Sequence, residues 1–297
     1  MKPAIRISLF GKFSVHMGDG VLLDHAPHKA QELLAYLTLH TGKAHPRETL
    51  AELLWGEQDT PNSRKYLRQA LWQLHSGLVT LGRARAAHLL RAESDWLELA
   101  LDDRVEVDLA LFEEAFAAVN GTAGEALLTE QARSLAEAAR LYRGDLLEGW
   151  VAEWCRYDRE RFRRMFHTVL DKLTDYYDSR QGHEAAIAYA TLSLRFDGAR
   201  ERSHRNLMRA LAKSGDRCGA IRQYARCAEA LRDELGVAPE PETVELEQMI
   251  RAGQVAGAVR EQFPHIDASR MGASGGLAIV APQRRVQAGR ARSPDHR

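Results

Sequence analysis

The sequence has few cysteines and no long apolar run. Its three cysteines, Cys155, Cys218 and Cys227, form no Cys-x-x-Cys pair, so they predict reduced thiols rather than a disulfide framework. No uninterrupted apolar run approaches the roughly 20 residues that a membrane helix needs, and the opening MKPAIRISLF lacks the long apolar region of a secretion signal. We therefore predict a cytoplasmic protein with no membrane contact.

The sequence also lacks the short motifs of common enzymes. It contains no G-x-G-x-x-G and no G-x-x-x-x-G-K-[ST]. His183-Glu184 begins like the zinc motif H-E-x-x-H, but Ile187 stands where the second histidine is required. We predict a protein that is not an enzyme and that has no catalytic residues, no cofactor and no metal ion.

Acidic residues are absent from one stretch of a chain whose 41 Lys and Arg balance its 41 Asp and Glu. This stretch, residues 61–91, contains six cationic side chains: Arg64, Lys65, Arg68, Arg83, Arg85 and Arg91. Apolar residues recur at three- and four-residue steps within it, at Leu67, Ala70, Leu71, Leu74, Leu78 and Leu81. The pattern predicts a helix with one buried stripe and a cationic face.

The face opposite that stripe carries the side chains that bind phosphates and base edges. It comprises Asn62, Lys65, Gln69, Trp72, Gln73 and Ser76, with Arg68 on one shoulder. Lys65 and Arg68 suit phosphate, and Gln69 and Gln73 suit adenine edges. The alternative is an ordinary solvated face, but the missing acidic residues favour a DNA-recognition helix.

Some members of this face have two interpretations. Asn62 could contact DNA or cap the helix, and Trp72 could pack on the sugar-phosphate backbone or against a neighbouring hairpin. Arg47 and Thr49 lie at the start of the preceding helix, where side chain and helix terminus could bind phosphate. The complete predicted DNA-contacting set is Arg47, Thr49, Asn62, Arg64, Lys65, Arg68, Gln69, Trp72, Gln73, Ser76 and Arg91.

The order of elements around this helix predicts a winged helix-turn-helix. Alternating apolar residues over 4–23 predict a small sheet, and helices are expected at 28–40 and 47–55. Residues 59–63 are turn-forming and are expected to cap the basic helix. Two strands, 89–90 and 96–99, would form the wing, whose tip carries the acidic Glu93 and Asp95.

Beyond this region the patterns are helical, and strands are not expected after residue 104. Ala186-Ile187 recurs as Ala220-Ile221 at an offset of 34, the period of tetratricopeptide helix pairs. Aromatic residues of this part (Tyr142, Trp150, Trp154 and Tyr157) could line a peptide groove, although helix packing is the simpler interpretation.

The predicted fold class is mainly α, an α+β winged helix-turn-helix followed by an all-α tetratricopeptide-like repeat domain. The predicted domains are 1–104 for DNA binding, 105–255 for the helical repeats and 256–297 for a disordered basic tail.

Several segments resemble the SARP-type bacterial transcriptional activators, which join an OmpR-like winged helix to a bacterial transcriptional activation domain (BTAD). They are FGKFSV, LAELLWG, SRKYLRQALWQL, VDLALFEEA, LYRGDLLEGW, AEWCRYDRERF and ERSHRNLMRALAKSGDRCGAIRQYARCAEALRDELGVAPEPET. The resemblance covers residues 4–252 and implies binding to direct repeats at promoters, as a homodimer on double-stranded DNA, with recruitment of RNA polymerase.

The predicted function is a sequence-specific DNA-binding transcriptional regulator, and activation rests on the resemblance. The alternative is a tetratricopeptide-type adaptor whose winged helix contacts protein rather than DNA.

Overall fold

The computed structural model describes residues 5–17, 20–21, 26–56, 60–79 and 88–255, which form a mainly helical chain with two small sheets near its N-terminus. The first sheet has the order β3-β2-β1-β7 and consists of β1 (Ile5–Ser8), β2 (Ser14–Met17), β3 (Gly20–Val21) and β7 (Val105–Val107). Strands β1 and β2 are antiparallel, with Ile7 opposite Val15. Ile5 and Ile7 are buried and Arg6 is exposed, as predicted, but Ser8, expected on the polar side with Arg6, is buried.

Strand β7 corrects the sequence prediction. It pairs in parallel with β1, placing Val105 opposite Ile5, whereas the chain was expected to be helical from residue 105 onwards. Three residues carry too little alternation to predict a strand, and its partner lies some hundred residues away in sequence. The separation into domains at residue 104 stays a prediction.

Three helices follow the first strands: α1 (His28–Leu39), α2 (Arg47–Trp55) and α3 (Thr60–Leu78). Helix α2 has the predicted bounds, with Pro46 directly before its first residue and Gly56 directly after its last. Helix α3 starts earlier than expected, so Asn62 lies inside its first turn. The interpretation of Asn62 as the cap is therefore wrong, as is the assignment of residues 60–63 to a turn.

The second sheet, β4-β6-β5, packs beside these helices. Its strands are β4 (Ala44–Pro46), β5 (Leu90–Ala92) and β6 (Trp96–Leu99). The hairpin β5–β6 has Arg91 opposite Glu98. Strand β6 has the predicted bounds, whereas β5 is shifted from the predicted 89–90 to Leu90–Ala92, so Ala92 belongs to the strand and not to the turn. Strand β4 was not predicted, because Ala44-His45-Pro46 has no apolar alternation; it pairs with β6 and joins the hairpin to the start of α2.

The rest of the described chain is helical. Its helices are α4 (Asp108–Ala117), α5 (Thr129–Leu141), α6 (Arg156–Ser179), α7 (His183–Phe196), α8 (Glu201–Lys213), α9 (Arg217–Leu235) and α10 (Pro241–Arg251). Helices α7 and α9 begin 34 residues apart, at His183 and Arg217, and Ala186 and Ala220 are both fully buried. The spacing of these helices matches the offset seen in the sequence, and their assignment to tetratricopeptide-like pairs stays a prediction. The tail, 256–297, lies outside the described residues.

One hydrophobic core joins the first sheet to the helical part. Phe10, which follows β1, lies with its ring centroid 5.3 Å from that of Phe112 and 5.4 Å from that of Phe162. The buried Asp108 carboxylate accepts hydrogen bonds from the backbone N–H groups of Leu9 and Phe10 at 2.9–3.1 Å. No described helix has the length and apolarity to cross a membrane.

Candidate nucleic-acid interface

The inner side of α3 fixes this helix on α1 and α2. Its buried residues are Ser63, Leu67, Ala70, Leu71, Leu74 and Leu78. Five of them were predicted as the apolar stripe; the sixth predicted member, Leu81, lies outside the described residues. Ser63 was not predicted to be buried, and its hydroxyl donates a 2.9 Å hydrogen bond to the carbonyl oxygen of Trp55, the last residue of α2. Helix α3 is therefore anchored along its length by apolar packing and at its start by a hydrogen bond.

The opposite side of α3 is open to solvent. Seven of the predicted contact residues of this helix are exposed: Asn62, Arg64, Lys65, Arg68, Gln69, Trp72 and Ser76. Gln73 is only partly exposed, which leaves less of its amide free to reach a partner. The helix thus presents cations and amides together on a rigidly held surface.

The cations of this surface differ in their surroundings. Within the described part of the chain, Lys65 and Arg68 have no carboxylate partner, whereas Arg64 forms an ion pair with Glu48 of α2. Both partners of that pair are largely exposed, with side-chain exposures of 54% and 75%, so the pair holds Arg64 only weakly. Lys65 and Arg68 thus differ from Arg64 in having no carboxylate partner among the residues that the structure describes.

Trp72 stands out because 69% of its surface is exposed. The indole is therefore not buried against the β5–β6 hairpin, and the choice between its two predicted interpretations stays a prediction. Ser76 donates its hydroxyl to the carbonyl oxygen of Trp72 at 2.8 Å, one turn back along the same helix. A large aromatic ring held at this position offers a flat apolar surface to a binding partner.

The start of α2 gives less support to the predicted phosphate site. Thr49 is exposed there, but Arg47 is half-buried. The N–H of Arg47 donates to the carbonyl oxygen of Asp95 at 2.8 Å, so the hairpin already uses this amide. The Arg47 Nε atom is buried without a hydrogen-bond partner among the described residues. Glu48 adds a negative charge to the same turn, which disfavours a second anion.

The β5–β6 hairpin is more acidic than basic at its tip. Glu93 and Asp95 are exposed there, and the N–H of Glu93 donates to the carbonyl oxygen of Trp96 at 3.0 Å. Arg91 lies 3.6 Å from Glu98 on the neighbouring strand, measured from Nη1 to Oε2. The predicted cations Arg83 and Arg85 lie outside the described residues.

The aromatic residues considered for a peptide groove pack instead within the molecule. Tyr142 is buried and stacks on Phe166, with ring centroids 4.0 Å apart. Trp150 contacts Phe13, and Trp154 contacts Tyr36 of α1. Tyr157 is the exception, with 72% of its surface exposed. The simpler interpretation, helix and junction packing, holds for three of the four.

Chemical sites of other kinds are not evident in the described residues. They contain no group of three or more His, Cys, Asp or Glu side chains arranged to hold a metal ion. Of the three cysteines, Cys155 and Cys227 are buried and Cys218 is exposed, and all are free thiols.

Comparison with known proteins identifies relatives of the chain. Residues 107–251 match the model of the bacterial transcriptional activator domain. The regulatory protein AfsR of Streptomyces coelicolor is 29% identical over 233 residues, which are 78% of this chain and 23% of the relative. AfsR of Streptomyces griseus is 28% identical over 251 residues, 83% of this chain and 24% of the relative. The chain therefore spans about a quarter of the length of these relatives.

A solved structure shares the fold. It is that of Mycobacterium tuberculosis EmbR in complex with a low affinity phosphopeptide, with a TM-score of 0.61 and 22% sequence identity. The similarity covers 84% of this chain and 66% of the EmbR chain.

Proposed function

We propose that this chain is a sequence-specific DNA-binding regulator of transcription. The match of residues 107–251 to the bacterial transcriptional activator domain and the similarity to AfsR support this proposal. We assign DNA binding to the N-terminal part and contacts with other proteins to the helical part. Activation is the proposed direction of regulation, since that is what the matching domain's description names.

In this proposal α1, α2, α3 and the β5–β6 hairpin form a winged helix-turn-helix. Helix α3 enters the major groove, as the second helix of a helix-turn-helix pair does. Lys65 and Arg68 contact phosphates, and Gln69 reads a base edge. Helices α7–α10 are assigned to tetratricopeptide-like pairs, consistent with the 34-residue spacing of α7 and α9.

The observation that carries the proposal is the open face of α3. Its buried side fixes the helix against α1 and α2, while Lys65 and Arg68 remain exposed without a carboxylate among the described residues. Cations held in this way are available to exchange small counterions for phosphates, which drives association with DNA.

The hairpin is given a smaller part. Its tip carries the exposed Glu93 and Asp95, which repel phosphate. Arg91 is drawn toward Glu98. Sequence discrimination therefore falls to α3, with Trp72 packing on the sugar-phosphate backbone and Gln73 making at most a partial base contact.

The assembly on DNA follows from the resemblance. We propose that two copies bind direct repeats at a promoter and that the helical part contacts RNA polymerase. This assembly is proposed from the resemblance and not from contacts within the single chain. A footprint on promoter DNA tests it through the spacing of the protected half-sites.

Selection from randomised duplex DNA tests the base-reading role of α3. The intact chain should enrich a defined site, and Gln69→Ala should lose preference at one base pair while other positions are retained. Gln248→Ala is the matched control, because Gln248 is also an exposed helical glutamine but lies in α10.

Two outcomes would contradict the proposal in different ways. Unchanged preferences in Gln69→Ala would remove Gln69 from base reading. An intact chain that enriches no site and binds duplexes only weakly would favour the adaptor alternative, in which the exposed Trp72 contacts protein.

A further inference from the structure

A chain of contacts leads from the helical part to the start of α3. It begins at the short 3-10 turn Glu153–Cys155, which precedes α6 and carries Trp154. Arg159 of α6 holds the preceding loop by donating from Nε to the carbonyl oxygen of Leu146 at 2.9 Å and from Nη2 to that of Trp150 at 3.1 Å. The loop that carries Trp154 is therefore held in place by Arg159 of α6, the helix that follows it.

Trp154 reaches across to α1. Its indole Nε1–H donates to the Oε1 atom of Glu32 at 2.9 Å, a contact between residues 122 positions apart. Its ring also meets the ring of Tyr36 edge-on, with centroids 5.3 Å apart. The Glu32 side chain is 5% exposed, and a carboxylate so buried requires partners.

The second partner of Glu32 is Lys29, one turn earlier on α1. The Lys29 Nζ atom lies 2.9 Å from Glu32 Oε2. The same ammonium group donates to the carbonyl oxygen of Leu54 at 2.7 Å. Leu54 is in the last turn of α2, where carbonyl groups lack helical partners and favour a cation. Lys29 thus joins the buried carboxylate to the end of α2.

The next carbonyl of α2 continues the chain of contacts. The carbonyl oxygen of Trp55 accepts the hydroxyl proton of Ser63, in the first turn of α3. Two successive carbonyls at the end of α2 are consequently bound, one by Lys29 of α1 and one by Ser63 of α3. The start of α3 and the side chain of Lys29 thus meet at adjacent carbonyls of α2.

We propose that Trp154, Glu32 and Lys29 are positioning residues through which the activator domain orders the start of α3. These contacts stabilise the orientation of α3 that binds DNA. A partner that separates Trp154 from Glu32 would therefore weaken DNA binding without touching the DNA interface. This inference rests on the proposed DNA binding for its consequence, but the ordering itself is a property of the free protein.

Hydrogen exchange of the intact chain without DNA tests the ordering directly. Trp154→Phe keeps the aromatic packing and removes the N–H donor. Lys29→Met keeps the aliphatic stem and removes the ammonium. Each should speed exchange of α3 amides in the first half of the helix by about fivefold, the effect of losing one hydrogen bond worth about 1 kcal/mol.

The control must disturb the same junction without touching this chain of contacts. Tyr142→Phe does so, because it removes a hydroxyl that donates to Asp145 Oδ1 and keeps the ring that packs on Phe10, contacts that involve neither Glu32 nor Lys29. It should leave exchange in α3 as in the original chain. Glu32→Gln keeps an oxygen for Trp154 but removes the charge that faces Lys29, and should fall between the original chain and Lys29→Met.

A second readout separates this inference from the proposed function. With DNA present, Trp154→Phe should weaken affinity by about the same factor as the exchange effect, with an unchanged dependence on salt because the phosphate contacts are the same. Unaltered α3 exchange in both Trp154→Phe and Lys29→Met, or an equal change in Tyr142→Phe, would overturn the inference. Absence of DNA binding by the original chain would overturn the proposed function and leave the exchange result decisive for the ordering.

Discussion

Cations in the helical part and cations on the exposed face of α3 differ in whether they have carboxylate partners. Between α6 and α8, Asp171 accepts two hydrogen bonds from Arg200 at 2.9 and 2.7 Å and lies 3.1 Å from Arg202 Nε. Nearby, Lys213 Nζ lies 2.6 Å from Asp178 Oδ2. On α3 the exposed Lys65 and Arg68 have no such partner among the described residues.

The difference shows why a balanced overall charge says little about a binding partner. Charges that are neutralised locally hold helices together and offer little to a polyanion. Uncompensated charges on one fixed face keep their attraction over roughly a Debye length, about 8–10 Å in ordinary salt. The cations that hold the helices together are thus a different set from those that we propose to bind DNA.

Removing the carboxylate that binds Arg200 and Arg202 should have the largest effect on stability. Asp171 is 5% exposed, so Asp171→Ala would leave Arg200 without its buried partner and lower the free energy of unfolding by about 3–5 kcal/mol. Urea unfolding of the intact chain measures this loss. The control is Asp233→Ala, whose pair with Arg232 is exposed and should matter by less than about 1 kcal/mol. Equal losses in the two variants would contradict the comparison.

The junction between the two regions should show its own pH dependence. Burial raises the pKa of Asp108 to about 6, against the opposing effect of the backbone N–H groups of Leu9, Phe10 and Leu109. The unfolded carboxyl has a pKa of about 3.9, so the folded chain binds this proton more readily. Stability from this group is therefore present below about pH 4 and is lost as pH rises to about 6, by up to about 3 kcal/mol.

The contribution of Asp108 is isolated by comparison with Asp108→Asn, which does not titrate. The free energy of unfolding of the original chain minus that of the variant should fall as pH rises from about 4 to about 6 and then level off. A difference that rises over this interval would show that the backbone donors outweigh burial.

Loosening the anchor of α3 should have an intermediate effect. Ser63→Ala removes the buried hydrogen bond to the Trp55 carbonyl oxygen and should cost about 1 kcal/mol in the free energy of unfolding. Ser76→Ala is a close control, because the Ser76 hydroxyl also donates to a carbonyl of a neighbouring turn but is exposed. Thermal or urea unfolding should separate the two variants; matching losses would mean that Ser63 is not a special anchor.

Releasing Arg64 of α3 from its carboxylate partner should have the smallest effect on stability. Glu48→Gln frees Arg64 from its carboxylate, and loss of an exposed pair should change stability by about 0.5 kcal/mol or less. DNA affinity should rise modestly, with a dependence on salt steeper by up to about 0.9 in the log–log slope. A slope unaffected by Glu48→Gln would mean that Arg64 does not reach phosphate.

Much of the fold could be predicted from sequence where local signals mark an element. Helix α2 lies between Pro46 and Gly56, and α10 begins at Pro241, so their bounds were correct. The apolar stripe of α3 also follows from local spacing. Strands β4 and β7 were missed because each has three residues and gains its stability from a partner distant in sequence.

For the candidate site, the sequence predicted which residues of α3 are exposed but not which residues of other elements contact them. Exposure of Lys65, Arg68 and Gln69 follows from helical periodicity. The pairing of Arg64 with Glu48, and of Trp154 with Glu32, joins residues 16 and 122 positions apart, and no local pattern encodes such contacts. The start of α3 at Thr60 was missed because Thr60-Pro61-Asn62-Ser63 suits a first helical turn as well as a loop.

The central claim is that Lys65 and Arg68 bind phosphates, and the salt dependence of DNA affinity tests it most directly. A chain carrying both Lys65→Ala and Arg68→Ala should have a log–log slope shallower by about 1.8 than the original, two contacts at about 0.9 each. A control with Arg164→Ala and Arg222→Ala, exposed cations of α6 and α9 outside the proposed interface, should keep the original slope. An undiminished slope in the α3 variant would contradict the claim.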